Sequence, residues 1–177
     1  GITANDAFKP VTRYFDRITR PEQIIQSFPN AIQTMLDPAD CGPACISLSQ
    51  DIQGQTFDYP EDFFKEKIHA IRRPRPDEFQ IKEAAEKIKA SKNPIIISGG
   101  GVFYSDAMEE LSKFAIKHNI PVTQTVMGYS TMKRDHSHYA GQIGALGGKN
   151  TNSLAKQTDL AIAVGTKLAD FTTGSWT

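Results

Sequence analysis

Apolar positions in the first part of the chain predict two helices and one strand. An apolar set at helical spacing runs from Asn5 to Ile18, and a second runs from Pro21 to Leu36. Pro21 suits a first helical position, where a missing N–H costs little, whereas Pro29 should kink or split the second helix. We therefore expect residues 1–52 to form one structural part of the chain.

A short apolar run at residues 44–48, after a Gly-Pro step, predicts a buried strand. The same part of the chain shows no second strand pattern, and a strand without a partner leaves backbone groups unsatisfied. We therefore expect the partner strand to come from elsewhere. Residues 53–75 follow as a connector, and its Arg-Arg-Pro-Arg-Pro ending favours a stiff, solvated crossover over a phosphate or nucleic-acid patch.

From residue 76 onward the pattern alternates between helices and strands. Asp77 predicts the N-cap of a helix with an inward apolar face from Phe79 to Ile88, and residues 94–98 predict a strand buried on both faces. The remaining elements are a helix at 105–118, a strand at 120–125, a helix at 152–158 and a strand at 160–164. This order predicts an α/β domain over residues 76–177, with a doubly wound, Rossmann-like parallel sheet.

Charge and cysteine content exclude several function classes. The chain has 20 basic and 20 acidic residues, so nothing in its balance favours nucleic acid or an anionic membrane as a partner. No apolar run approaches the roughly 20 residues that span a bilayer. Cys41 and Cys45 lack a second Cys/His pair at zinc spacing, and His136 and His138 suit an exposed loop. We expect reduced thiols, no metal site and a cytoplasmic location.

Glycine-rich turns after the predicted strands are the candidate binding site. Glycines after a parallel strand let a ligand approach the backbone, and a following helix N-terminus favours an anion. The dinucleotide fingerprint is not met, because Tyr104 stands where its third glycine belongs. If a nucleotide binds, its contacts are expected to be Gly99, Gly100, Gly101, Gly144, Gly165 and Thr166. The alternative is that these glycines only permit close packing of turns.

No group of residues in the sequence has the pattern of a catalytic site. The carboxylates lie mostly on predicted solvated helix faces, and no nucleophile is placed beside a base. We expect no catalytic residue in this chain.

Several segments, taken in order, resemble the thiamine-diphosphate (ThDP) enzymes that include acetolactate synthase, pyruvate oxidase and benzoylformate decarboxylase. They are Gly42 to Gln53, Pro94 to Gly101, Asn119 to Val122, Gly141-x-x-Gly144 and Asp159 to Leu168. The resemblance implies that residues 1–52 are the C-terminal part of a pyrimidine-binding domain, and that 76–177 are a middle domain. That domain continues with another strand in the family, so we expect an exposed or borrowed sheet edge.

Other segments are similar to the branch of this family that hydrolyses a cyclic 1,2-dione in myo-inositol catabolism. They are Asn5 to Val11, Arg13 to Ile18, Asp58 to Pro60, Ile71 to Pro76 and Ala169 to Trp176. The resemblance implies ThDP and Mg2+ as cofactors of a longer parent protein, a cyclic 1,2-dione as its small-molecule substrate, and a homodimer or homotetramer. It also implies that Asn5, Asp6, Phe8 and Lys9 line the substrate pocket.

The family's activating glutamate and its Gly-Asp-Gly…Asn motif do not occur in these 177 residues. We therefore expect this polypeptide alone to bind no ThDP and to have no activity. Two alternatives stay open. One is a carboligase like acetolactate synthase, whose middle domain holds FAD; the other is a nucleotide-binding module with no catalysis of its own.

Overall fold

The computed structural model describes residues 3–176, which divide between Arg75 and Pro76 into two compact units. No helix in the described range is both long and apolar enough to cross a membrane. Each unit has its own parallel sheet, of two strands in the first and four in the second.

The first unit contains helices α1 to α3 and strands β1 and β2. They are α1 (Ala4–Phe8), β1 (Tyr14–Ile18), α2 (Ile24–Leu36), β2 (Ala44–Leu48) and α3 (Gln50–Gln53). Short 3-10 helices at Lys9–Val11, Pro21–Gln23 and Glu61–Phe63 complete it.

The predicted first helix is wrong in its second half, because Tyr14–Ile18 is the strand β1. This strand pairs in parallel with β2, from Tyr14 opposite Ala44 to Ile18 opposite Leu48. The expectation that residues 44–48 lack a partner in this part of the chain is therefore also wrong. Aromatic and β-branched residues fit a strand, and pairing with a distant segment outweighs the helical spacing that they happen to show.

Helix α2 packs against both strands and continues past Pro29 without being split. Pro29 was predicted to kink or split the helix, and the split does not occur, although Pro29 has no N–H to donate to the preceding turn. Ser27 and Ala31 of this helix are buried, so packing of that face stabilises the helix. The prediction for Pro21 is confirmed, since it begins the 3-10 turn that leads into α2.

The second unit contains helices α4 to α8 and strands β3 to β6. Its helices are α4 (Glu78–Ala90), α5 (Gly100–Tyr104), α6 (Met108–His118), α7 (Lys149–Ala155) and α8 (Asp170–Thr173). Its strands are β3 (Pro94–Ser98), β4 (Val122–Gln124), β5 (Tyr139–Gln142) and β6 (Leu160–Val164). The sheet order is β5-β4-β3-β6, with all neighbours parallel.

Strand β3 lies between β4 and β6, and its side chains are buried on both faces of the sheet, as predicted. Ile96 packs with Val102, Leu111 and Ala115 in the main apolar core, while Ile95 and Ile97 alternate with it along the strand. Asp77 caps α4 as predicted, with its carboxylate accepting from the N–H groups of Phe79 and Gln80. The α/β doubly wound sheet is therefore confirmed.

Several element boundaries differ from the prediction. The helix expected from Ser105 is two helices, α5 and α6, separated by a turn in which Asp106 has a φ of 54°. Helix α7 begins three residues earlier than expected, and β5 lies in a stretch that was predicted to be loop. The predicted inward face of α4 is wrong at Phe79 and Ile81, which are exposed.

Strand β6 forms one edge of the sheet in the described part of the chain, with β3 as its neighbour. Its residues alternate between half-buried and exposed. The family resemblance led us to expect an exposed or borrowed edge in this sheet, and which of the two applies stays a prediction.

Candidate functional site

The turns that follow β3, β4 and β6 enclose a crevice of about 370 Å³. The chain passes from β3 to β4 on one side of the sheet, while β6 lies on the other side of β3. Ligands of open α/β sheets bind at such a point, at the carboxyl ends of the strands. Gly100, Gly101, Gly165 and Thr166, four of the six residues proposed as nucleotide contacts, line this crevice.

The glycines of the first and third turns are in direct backbone contact. The N–H of Gly101 donates to the carbonyl of Gly165 at 2.8 Å, and the N–H of Gly99 donates to that of Val164 at 2.9 Å. A Cβ on Gly101 would lie 2.6 Å from the Cα of Gly165. Gly165 itself has a φ of 58°, which side-chain-bearing residues seldom adopt. These glycines are therefore required by the packing of one turn against the other.

This contact uses donors that a phosphate would need. The N–H of Gly101 donates to the carbonyl of Gly165, and the N–H of Val102 donates to the carbonyl of Gly99 at 3.1 Å. An anion at a helix N-terminus depends on free N–H groups in the first turn. The geometry therefore favours the packing alternative over the nucleotide alternative for Gly99, Gly100 and Gly101.

Gly144 lies apart from this crevice, beside a cavity of about 410 Å³ against Ile95 and Ile97 on one face of the sheet. Its N–H donates to Oδ1 of Asn152 at 3.0 Å, and its carbonyl accepts from Nδ2 of the same side chain at 3.0 Å. A Cβ at Gly144 would lie 2.0 Å from the carbonyl oxygen of Phe171. Gly144 therefore serves close packing against α8.

The rest of the crevice is mainly apolar. Tyr104, Met127 and Phe171 line it and are largely exposed, and Lys167 is the one cationic residue among those of residues 3–176 that line it. Thr166 donates its hydroxyl to the carbonyl of Lys167 at 3.2 Å. Such a surface suits an apolar group better than a diphosphate.

A buried polar network below the turn after β4 was missed by the sequence analysis. Ser98 Oγ and Thr131 Oγ1 are 2.7 Å apart, and Nε2 of Gln124 donates to the carbonyl of Met132 at 2.8 Å. All three side chains are almost completely buried. The signal in the sequence was the polar run Thr123-Gln124-Thr125 within an otherwise apolar strand pattern.

The predicted substrate-pocket residues occupy α1 and the turn after it. The carboxylate of Asp6 accepts from the backbone N–H of Thr3 at 3.1 Å and from its hydroxyl at 3.0 Å. These bonds cap α1 and hold the pKa of Asp6 below its ordinary value. Asn5 is half-buried, whereas Phe8 and Lys9 are exposed and contribute to the surface of the first unit.

No group of three or more His, Cys, Asp or Glu side chains within residues 3–176 is placed to hold a metal ion. Cys41 and Cys45 are both free thiols. The expectation of exposed histidines is wrong: His136 and His138 are half-buried, and His136 Nε2 lies 2.9 Å from Ser112 Oγ. They anchor the loop before β5 to α6.

Comparison with known proteins places this chain in a family. Residues 81–177 match the family model described as thiamine pyrophosphate enzyme, central domain. The chain is 50% identical over 175 residues to a 3D-(3,5/4)-trihydroxycyclohexane-1,2-dione hydrolase of Clostridium perfringens (strain 13 / Type A), covering 99% of this chain and 27% of that protein. It is 47% identical over 176 residues to the protein of that name from Bacillus subtilis (strain 168), covering 99% and 28%.

The chain thus spans about a quarter of the length of these curated relatives. The family model covers more than half of the chain and coincides with the four-stranded parallel sheet and its turns. The chain belongs to the thiamine pyrophosphate enzyme family, with the central domain of that family in its second unit.

Proposed function

We propose that this chain is part of a ThDP-dependent hydrolase that opens the ring of trihydroxycyclohexane-1,2-dione to 5-deoxyglucuronate in myo-inositol catabolism. The observation that carries the proposal is the extent of the identity with relatives of that name. It covers 175 residues and so includes the first unit, which the family model does not match. A shared central domain alone would support only the family.

In this proposal the first unit contributes to the substrate pocket. Asn5, Phe8 and Lys9 lie on or near the surface of α1 and the following turn. Lys9 forms no ion pair with residues 3–176, so its charge is available to a polar substrate. Asp6 acts as a positioning residue, since its carboxylate is engaged by Thr3.

ThDP and Mg2+ are the proposed cofactors of the longer parent protein. When bound in the parent protein, ThDP would supply the carbanion chemistry needed at a carbonyl group of the dione. The residues described here offer no cluster of metal ligands, so we assign neither cofactor to a site in this chain and no catalytic step to its residues. We also propose that the polypeptide alone binds no ThDP.

The second unit is proposed to act as a scaffold without a bound nucleotide. The support is the use of the Gly101 and Val102 N–H groups within the protein. A carboligase like acetolactate synthase would instead hold FAD there. The visible absorbance of flavin in the purified parent protein would support that alternative.

The parent protein is further proposed to be a cytoplasmic homodimer or homotetramer, because active sites of this family form between two subunits. Light scattering of the purified parent protein tests this assembly. A monomer that retains full activity would contradict it.

The decisive experiment is an assay of the full-length parent protein with the cyclic dione, with and without ThDP and Mg2+. We expect the acyclic acid to form only when both are present, as followed by proton NMR of the product. Condensation of two 2-keto acids by a flavin-containing protein, with no reaction on the dione, would replace this proposal with the carboligase.

A further inference from the structure

A small cavity of about 180 Å³ lies beneath the loop that follows β4, away from the glycine turns. Its lining is more polar than that of the crevice and includes two cationic residues. The lining residues are Gln124, Tyr129, Ser130, Met132, Lys133 and Arg134.

The floor of the cavity is the side chain of Gln124, which is 2% exposed. Its Nε2 donates to the carbonyl of Met132 at 2.8 Å and to Oγ1 of Thr131 at 3.3 Å. A carbonyl can only accept, so these bonds fix which end of the amide is nitrogen. The amide oxygen of Gln124 therefore points away from Met132.

That oxygen accepts no hydrogen bond from residues 3–176. Within residues 3–176, all solvent-inaccessible side-chain N and O atoms of buried or half-buried residues have a hydrogen-bond partner. The oxygen of Gln124 is therefore not sealed from solvent, and Gln124 is one of the residues that line the cavity. An acceptor on an otherwise buried side chain that opens into a cavity favours a ligand with a hydroxyl or N–H donor.

The cationic side chains of Lys133 and Arg134 lie at the rim of the cavity. Arg134 donates one N–H to the hydroxyl of Tyr129 at 3.0 Å and lies 5.5 Å from the centre of its ring, which holds the guanidinium beside the cavity. The other N–H groups of Arg134 form no hydrogen bond within residues 3–176, and Lys133 forms no ion pair there. Asp135 follows in the chain, so the three side chains carry a net charge of about +1.

The loop that carries this rim is held firmly from below. Thr131 donates its hydroxyl to the carbonyl of Gly128 at 2.8 Å, and the N–H of Gly128 donates to Oγ1 of Thr125 at 3.0 Å. Ser130, at the lip of the cavity, has a φ of 70°. A fixed loop keeps cations and acceptor at a constant spacing, which lowers the entropic cost of binding.

We propose that this cavity is a binding site for a small polyhydroxylated carboxylate. A hydroxyl of the ligand donates to the amide oxygen of Gln124, and its carboxylate is held by Lys133 and Arg134. The volume of about 180 Å³ lies below the range of roughly 300–1,000 Å³ for pockets that hold drug-sized ligands, so the ligand must be small. The residues that line the cavity carry this assignment, although the product proposed above, 5-deoxyglucuronate, belongs to the same ligand class.

The test is an NMR titration of the protein with D-glucuronate, with myo-inositol and butyrate as separate probes. We expect glucuronate to cause saturable shifts of the Gln124 side-chain amide and of backbone amides 129–134. Myo-inositol lacks the carboxylate and butyrate lacks the hydroxyls, so both should bind much more weakly. Absence of saturable shifts, or equal binding of either control probe, overturns the proposal.

Lys133→Gln and Arg134→Gln change exposed residues and leave the Gln124 bonds intact. Each should weaken glucuronate binding by about tenfold, the range of a charge-assisted hydrogen bond. Lys89→Gln removes the same charge from the exposed face of α4 and serves as the matched control. Equal weakening by Lys89→Gln, or none by the rim variants, overturns the site.

Discussion

The hydroxyl of Ser27 donates a hydrogen bond to the carboxylate of Asp16 and so connects α2 to the middle of β1. Nε2 of Gln23 donates to the same carboxylate at 3.0 Å. Ser27 is buried, so the pair lies beneath the helix and not on its solvent face. The first unit depends on this polar contact as well as on apolar packing.

Replacing Ser27 with Ala should lower the free energy of unfolding by about 1–2 kcal/mol, because a half-buried carboxylate loses a donor. Chemical denaturation followed by circular dichroism measures the change. Gln33→Ala, on the exposed face of the same helix, is the control and should have little effect. An equal effect of both substitutions would mean that only the helix propensity of α2 had changed.

The same contact predicts a pH dependence. The hydrogen bond from the Ser27 hydroxyl is the largest influence on the pKa of Asp16 and lowers it below its ordinary value; burial opposes it, and the bond from Gln23 adds a smaller lowering effect. A carboxyl group with a lowered pKa in the folded state stabilises the fold above its unfolded pKa of about 3.9 and loses that contribution as the pH falls. The stability difference between the protein and its Asp16→Asn variant should therefore shrink below about pH 4. A constant difference at lower pH would contradict this.

Asp159 joins the start of β6 to the turn between α4 and β3. Its carboxylate accepts from Ser91 Oγ and from the N–H groups of Lys92 and Asn93 at 2.7 and 2.9 Å. These bonds, that of Ser91 first, lower its pKa. Asp159→Asn should speed amide hydrogen exchange at Lys92 and Asn93, because their acceptor loses its charge. Asp106→Asn is a control without a comparable contact, and unchanged exchange in Asp159→Asn would contradict the role.

Gly165 cannot accept a side chain, since a Cβ there would lie 2.5 Å from the backbone nitrogen of Val102 and its φ is 58°. Gly165→Ala should therefore destabilise the second unit by about 2 kcal/mol or more. Gly148→Ala is the matched control, with its nearest Cβ neighbour at 3.7 Å. Calorimetry of both variants tests this, and a normal melting temperature for Gly165→Ala would show that the two turns can separate.

In the full-length parent protein, Lys9→Met should reduce kcat/KM for the cyclic dione by about tenfold or more if Lys9 contacts the substrate. Lys67→Met removes an exposed charge from the connector and is the control. Steady-state kinetics with ThDP and Mg2+ present measures the effect. Equal kinetics of the two variants would remove Lys9 from the proposed pocket.

The sequence predicted an element correctly where the interactions that determine the element lie within a few adjacent residues. Three consecutive isoleucines predicted β3, and Asp77 predicted the start of α4, because burial and capping depend on residues that are adjacent in the sequence. Strands β1 and β5 were missed because their strand state comes from pairing with segments far along the chain.

The candidate site shows the same division. The positions of the glycine turns at strand ends followed from the hydrophobic pattern, and four of the six predicted residues line one crevice. Their purpose could not be predicted, because it depends on how closely one turn approaches another. The unbonded amide oxygen of Gln124 could not be predicted either, since a polar residue in a strand pattern does not reveal its hydrogen-bond partners.

The contact between Gly101 and Gly165 links two loops that are far apart in the sequence. A chimera that grafts the turn after β3 from another protein would bring a side chain or a different loop path against the turn after β6. Both turns must therefore be exchanged as a matched pair, and an insertion in one requires a compensating change in the other. Engineering of this domain has to treat the two loops as a single cassette.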